Sequence, residues 1–226
     1  MRGKCEKGSC KGERSGEDQE ILTRRNLIQT GAAAAVAAAV SRPAFAATIL
    51  PAPAPKPQIN PGLLARARAA LEAKRHLVKH ADVIGITDFS KASRDPRFYL
   101  LYTASGMVTE YQVAHGRGSD PSHSGWLNYF SNEVGSEATS AGAYLTADVY
   151  YGKYGRSLRL HGLDPSNSNA EPRAIVVHSA WYAEPEQVAQ HGKLGRSEGC
   201  FALSQLSLQY VLQQLGPGRM LYADKV

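Results

Sequence analysis

Val176-Val177-His178-Ser179-Ala180-Trp181, followed after a loop by Gly195-Arg196-Ser197-Glu198-Gly199-Cys200, decides the reading of this chain. The β-branched pair marks a strand, and the two glycines mark a turn. His178 ends the β-branched run, so its ring can project from a strand end towards the turn that carries Cys200. Cys200 is the only cysteine outside the first ten residues. In an exported protein such a thiol has no intramolecular partner, a liability unless it is buried or used. A thiol used as a nucleophile needs a neighbour that stabilises the thiolate, and imidazole is the usual choice. On that reading Cys200 is expected to react with iodoacetamide near neutral pH faster than an ordinary thiol. The alternative from the same residues is a small buried hydrophobe at Cys200 and an ordinary strand-end residue at His178.

Working outward, short β-type runs cover Val83 to Phe89, Phe98 to Ala104, Val108 to Ala114, Ala143 to Tyr150, Ser157 to Leu160, Ala174 to His178 and Met220 to Ala223. Ala104-Ser105-Gly106-Met107 reads as a tight hairpin turn. Asn60-Pro61 is a helix start, and apolar residues then recur near helical spacing, predicting an amphipathic helix over 61–80. Ser204 caps a second helix whose stripe is Leu208, Val211, Leu212 and Leu215, stopped by Gly216-Pro217. The balance is mainly β, of the α+β class. His115 through Ser140 is rich in Gly, Ser and Asn and too long for a plain hairpin loop, so it is either functional or a loose surface loop. Gly116-x-Gly118 is no nucleotide fingerprint.

These residues resemble the L,D-transpeptidase catalytic domain family, cysteine enzymes that cross-link peptidoglycan. The family motif is a His followed, after a loop, by Ser/Thr-His-Gly-Cys and an apolar residue. Here stand His178 and then Ser197-Glu198-Gly199-Cys200-Phe201. Thr139-Ser140-Ala141-Gly142-Ala143-Tyr144 is similar to the family's Thr-Pro-x-Gly-x-Phe/Tyr segment. Ser157-Leu158-Arg159-Leu160, Gly162-Leu163 and Leu194-Gly195-Arg196-Ser197 resemble the murein branch. The similarity covers residues 82 to 224. Two departures stand out: Glu198 replaces the motif's second His, and the loop before Ser197 is longer than the commonest spacing. Glu198 places a carboxylate beside the nucleophile, which raises the thiol pKa unless Arg196 offsets it.

The resemblance implies a compact mixed β-sandwich with an N-terminal amphipathic helix and a C-terminal helix. It also implies two-step acyl transfer on peptidoglycan stem peptides, which serve as donor and acceptor. Cys200 is the nucleophile and His178 the base; the backbone N–H groups of Gly199 and Cys200 form the oxyanion hole. Ser179, Arg196, Ser197, Tyr144 and His161 are expected around the substrate, with Arg196 either binding a substrate carboxylate or neutralising Glu198. The His115–Ser140 loop is implied to shape the cleft. No metal or cofactor is needed. The rivals are an L,D-carboxypeptidase or endopeptidase resolving the same thioester with water, a non-catalytic wall-binding protein, and a zinc hydrolase drawing on His115, His123, His161, His178, His191 and Cys200. No H-E-x-x-H spacing supports the last.

Thr23-Arg24-Arg25-Asn26-Leu27-Ile28-Gln29, an Ala-rich uncharged run and Ala44-Phe45-Ala46 read as a twin-arginine export signal over 1–46, cleaved after Ala46. The apolar run falls short of the ~20 residues a bilayer span needs. Cys5 and Cys10 lie in the polar leader and form only a lone pair, too little for a metal site. Alternating prolines over 47–60 make a semi-rigid linker, leaving 61–226 as one catalytic domain. Residues 1–46 hold 8 Lys and Arg and 5 Asp and Glu, so the mature chain keeps 18 against 15, a net of +3. That mild charge suits an anionic wall without arguing for nucleic acid. The expected product is a periplasmic or secreted monomer.

Overall fold

In the computed structural model, which describes residues 57–226, Asn60 starts the first helix. Its Oδ1 accepts from the N–H groups of Gly62 (2.8 Å) and Leu63 (3.4 Å), and Pro61 fills the first turn. Helix α1 spans Pro61–Ala73, shorter than the 61–80 its periodicity predicts. Tertiary bonds end it. Lys74 Nζ reaches the Asp164 carboxylate (3.0 Å) and the Leu163 carbonyl (2.8 Å). The N–H groups of Lys79 and His80 both donate to the Gly218 carbonyl (2.9 and 3.0 Å), which turns the chain into the sheet. The expected export signal and most of the linker lie outside the described residues.

Eight strands follow: β1 (Val83–Asp88), β2 (Phe98–Tyr102), β3 (Val108–Tyr111), β4 (Gly142–Gly152), β5 (Gly155–Gly162), β6 (Val176–Ser179), β7 (Phe201–Leu203) and β8 (Met220–Asp224). Helices α2 (Pro185–His191) and α3 (Gln205–Leu215) flank β7 in sequence. The strands make one mixed sheet in the order β3-β2-β1-β8-β4-β5-β6-β7, parallel at β1–β8 and β6–β7. The Ala114 N–H, just past β3, donates to the Ala202 carbonyl in β7 (2.8 Å), so the two edges of the sheet meet. The mixed sandwich of the α+β class is thus one continuous sheet curled over its core.

Alternation along the strands sets what fills each side. Phe98, Leu100, Tyr144, Leu158, Val177, Phe201 and Leu203 face inward onto Leu208, Val211, Leu212 and Leu215 of α3. Ile84, Ile86, Tyr99 and Met220 face the other way, onto Leu63, Ala67 and Leu71 of α1. α3 begins as the sequence implies, with Ser204 Oγ accepting from the Ser207 N–H (3.2 Å). Among the described residues no helix is long and apolar enough to cross a membrane.

The long loop after β3 is tied down rather than loose. His115, Ser119, Asp120, Thr139 and Ser140 are fully buried. Buried Arg97 donates to the Val113 carbonyl (2.8 Å) and meets His115 Nδ1 (2.7 Å), while His115 Nε2 faces Asp120 Oδ2 (3.4 Å). Burial, reinforced by the Arg97 charge, pushes the His115 imidazole down to about 3. An unfolded histidine titrates near 6.5, so as pH falls from there towards about 3 the unfolded chain takes up a proton that the folded chain refuses. Stability is therefore lost as pH falls through this window. The thermal midpoint is expected to drop between pH 6.5 and pH 4, and His115→Gln, which keeps a donor and an acceptor, to flatten that slope. An unchanged slope in the variant contradicts the assignment.

Candidate active site

The parallel β6–β7 register pairs Val177 with Phe201 and His178 with Ala202. Val177 and Phe201 are both buried in the core, so strand alternation turns His178 to the opposite face. Cys200 lies one residue before β7 and two before Ala202, which puts its side chain on the same face as His178. Both line one cavity of about 210 Å³, together with Arg117, Tyr154, Arg173, Ala174, Tyr182, Arg196, Ser197 and Glu198.

The turn needs its glycine. Gly199 has φ +112°, and a Cβ there would meet Ile175 Cδ1 at 2.7 Å and the Ala138 carbonyl at 2.8 Å. Gly116 of the long loop packs against it, with no room for a side chain, since a Cβ would lie 2.8 Å from Gly199 Cα. Ser197 closes the turn from within: its Oγ donates to the Cys200 carbonyl (2.7 Å) and accepts from the Gly199 N–H (3.2 Å). The Cys200 N–H is left without an internal acceptor among the described residues.

His178 is held in one tautomer. Its Nδ1 lies 2.9 Å from the Ser179 carbonyl, an acceptor only, so Nδ1 carries the proton and Nε2 keeps its lone pair. Tyr154 stacks on the ring with centroids 4.5 Å apart. Burial holds the imidazole below its ordinary pKa, against the raising effect of the Ser179 bond. The Cys200 thiol donates to the Ala174 carbonyl (3.5 Å), and Ala174 sits in the left-handed region at φ +51°, a strained position for a non-glycine. Burial pushes the Cys200 thiol up to about 11; the Val176 N–H lowers it, Glu198 raises it further, and Arg173 lowers it. The electrostatics thus reverse the expectation of a thiol activated at rest. The Cys200 thiol and the His178 imidazole are both neutral at pH 7.

The other expected site residues divide. Ser197 and Arg196 line the cavity. Arg196 does not neutralise Glu198: it donates to the Asp120 and Pro121 carbonyls, and Glu198 is faced instead by Arg117 at 3.6 Å. Arg117 also pairs with Glu137. Ser179 gives His178 its carbonyl, but its own hydroxyl donates to Gln205 Oε1 (2.6 Å), away from the cavity. Tyr144 is fully buried, its hydroxyl bonded to the Ser140 carbonyl (2.7 Å) and its ring edge-on to Phe201. His161 pairs with Glu171 (3.3 Å) in a separate shallow indentation. Neither Tyr144 nor His161 reaches the cavity. Among the described residues no group of three or more His, Cys, Asp and Glu side chains is placed to hold a metal ion, and the histidines considered as zinc ligands are dispersed. Arg173, Tyr154 and Tyr182 were not legible in the sequence. They come from a loop, a hairpin tip and a short 3-10 turn that carry no periodic pattern.

A curled mixed sheet that sets a cysteine and a tautomer-fixed histidine in one cavity defines a cysteine–histidine class of site. The model of a family described as the L,D-transpeptidase catalytic domain matches residues 55–223, and the chain belongs to that family. A search of curated protein sequences found no match. Among solved structures, the chain is similar to an L,D-transpeptidase from Mycobacterium smegmatis (15% identity, TM-score 0.38), covering 64% of this chain and 59% of that one. It is also similar to the helical cell shape determining protein Pgp2 from Campylobacter jejuni (13% identity, TM-score 0.42), covering 74% and 57%. A third similarity is to an L,D-transpeptidase from Xylanimonas cellulosilytica (14% identity, TM-score 0.40), covering 70% and 68%. The chain thus spans about three fifths of the first of these.

The neutral pair has a direct readout. With burial raising it to about 11, the Cys200 thiol is almost wholly protonated at pH 7. Alkylation of Cys200 by iodoacetamide is expected to be slower than that of an ordinary thiol at pH 7, and to climb through pH 7–10 without levelling. A plateau reached below pH 8.5 contradicts this picture.

Proposed function

We propose that the protein is an exported cysteine acyltransferase that forms L,D cross-links between peptidoglycan stem peptides. The observation that carries this reading is the shared cavity of Cys200 and a His178 whose Nε2 is free to accept a proton. In the first step Cys200 Sγ attacks the carbonyl carbon of the bond between an L-centre and the terminal D-residue of the donor. The thiol proton passes to His178 Nε2, the C–N bond breaks, and the proton leaves with the departing amine. The thioester is then attacked by an amine of a neighbouring stem. His178 takes that amine's proton and returns it to the sulfur as the C–S bond breaks, so the enzyme is regenerated.

Charge develops on the carbonyl oxygen in both steps and needs fixed donors. The Cys200 N–H serves first. The Gly199 N–H joins it where Ser197 Oγ releases its hold. Moving the proton within a neutral pair as the S–C bond forms avoids building a bare thiolate in a buried site. Arg196, whose guanidinium uses only Nη1 on the Asp120 and Pro121 carbonyls, binds a donor carboxylate. The signal read in residues 1–46 delivers the protein to the wall, and Tyr154 and Tyr182 flank the bound stem.

Incubation of the mature protein with disaccharide-tetrapeptide fragments tests the reading by product mass. A cross-linked dimer that has lost one D-residue is expected. Disaccharide-tripeptide without dimer assigns the hydrolytic rival, and no turnover assigns a binding role. Cys200→Ser is expected to lower turnover by at least about a thousandfold.

A further inference from the structure

Three arginines line the cavity, and they are not equivalent. Arg117 is paired with Glu137 and Glu198. Arg196 donates to the Asp120 and Pro121 carbonyls. Arg173 is half-buried, and among the described residues it has no carboxylate within ion-pair reach. Its Nη1 donates to the Ser131 carbonyl (2.8 Å), and its Nη2 to the Ala138 carbonyl and Ser136 Oγ (3.2 Å). Nη2 also lies 3.2 Å from where a side chain on Gly199 would begin, directly behind the turn that presents Cys200. The next residue is Ala174, whose strained carbonyl accepts the thiol. Removing a cation from water without an acid beside it is unfavourable, and carbonyl acceptors offset only part of that cost.

Resting on the reading of Cys200 as nucleophile, we propose that Arg173 is the positioning residue that holds the loop behind the Cys200 turn and offsets the partial negative charge the sulfur gains as its proton leaves. Arg173 and Cys200 line the same cavity, and burial lowers the Arg173 pKa against the raising effect of the neighbouring Tyr144 phenol and Cys200 thiol. Tyr144 is fully buried, hydrogen-bonded and neutral, so the negative charge open to Arg173 is the partial one that develops on the sulfur. Of the other ionisable groups lining the cavity, Arg117 is paired with Glu137 and Glu198, and Arg196 is bonded to the Asp120 and Pro121 carbonyls. Glu198 opposes the thiolate, His178 is neutral until it takes the proton, and the Tyr182 hydroxyl is pushed further from ionising by its burial. Arg173 thereby does for this site what an Arg196 partnered with Glu198 was expected to do.

The test is the pH profile of Cys200 alkylation, which requires no wall substrate and so can fail or succeed independently of the proposed reaction. Arg173→Gln keeps hydrogen bonding to the loop carbonyls and removes the charge. It is expected to slow alkylation at pH 8 by about tenfold, equivalent to a thiol pKa raised by about one. Arg173→Lys is expected to recover most of the rate. A purely structural arginine predicts a lower melting temperature with an unchanged profile, and that result overturns the proposal. Should Arg173→Gln fail to fold, Arg173→Met, which keeps an unbranched stem without charge, is read by the same profile: slower alkylation at pH 8 is expected, and an unchanged profile overturns the proposal.

Discussion

The parallel pairing of β6 with β7 is the constraint on which the rest of the site depends. Val177 and Phe201 are opposite one another and both point into the core. Because a strand alternates, burying that pair forces His178 and Cys200 to the other face, where the cavity is. A slip of one residue in β6 would turn the imidazole into the core, and one in β7 would turn Phe201 out of it, so hydrophobic burial fixes the chemistry's register. Replacing a fully buried phenylalanine with alanine costs about 3–5 kcal/mol, a measure of how firmly such a register is held. The bridge from Ala114 to Ala202 then brings the long loop, with Arg117 and Gly116, against the same turn.

Around that frame the charges are arranged to be modest at rest. The thiol is high and the imidazole low, both because of burial, so the pair holds one proton on sulfur and none on Nε2. Glu198, standing where the family motif has a histidine, adds a carboxylate, but Arg117 draws it outward. On the proposed reaction, such a site is activated by the substrate that engages it, not by a preformed thiolate. The buried Arg97–His115–Asp120 chain supports this from behind, since Asp120 anchors the loop whose carbonyls hold Arg196.

Much of this was legible in the sequence, for identifiable reasons. Residue types with one dominant use, such as Cys200 beside a glycine turn or Asn60 before Pro61, declared themselves. The longer strands and both amphipathic helices followed from period. β7 was missed because Phe201–Leu203 is only three residues long and begins where the motif ends. α2 was missed because its seven residues bury none of their side chains and so carry no apolar stripe. The family resemblance puts Tyr144 and His161 near the substrate, whereas burial in one case and the Glu171 pair in the other place them away from the cavity. Arg173 and Tyr154 act through contacts distant in sequence, Arg173 with Ser131 and Ala138, Tyr154 with His178, and no local pattern encodes those.

The central claim is that Cys200 carries the acyl group and His178 moves its proton. The most direct measurement is intact mass of the protein mixed with disaccharide-tetrapeptide and quenched in acid on the time scale of one turnover, followed by mapping of the modified peptide. The account predicts a mass gain equal to the donor less its terminal D-residue and less the displaced proton, confined to the peptide that bears Cys200, and formed much more slowly in His178→Ala. Turnover with no adduct on Cys200, or an adduct on another residue, would contradict it.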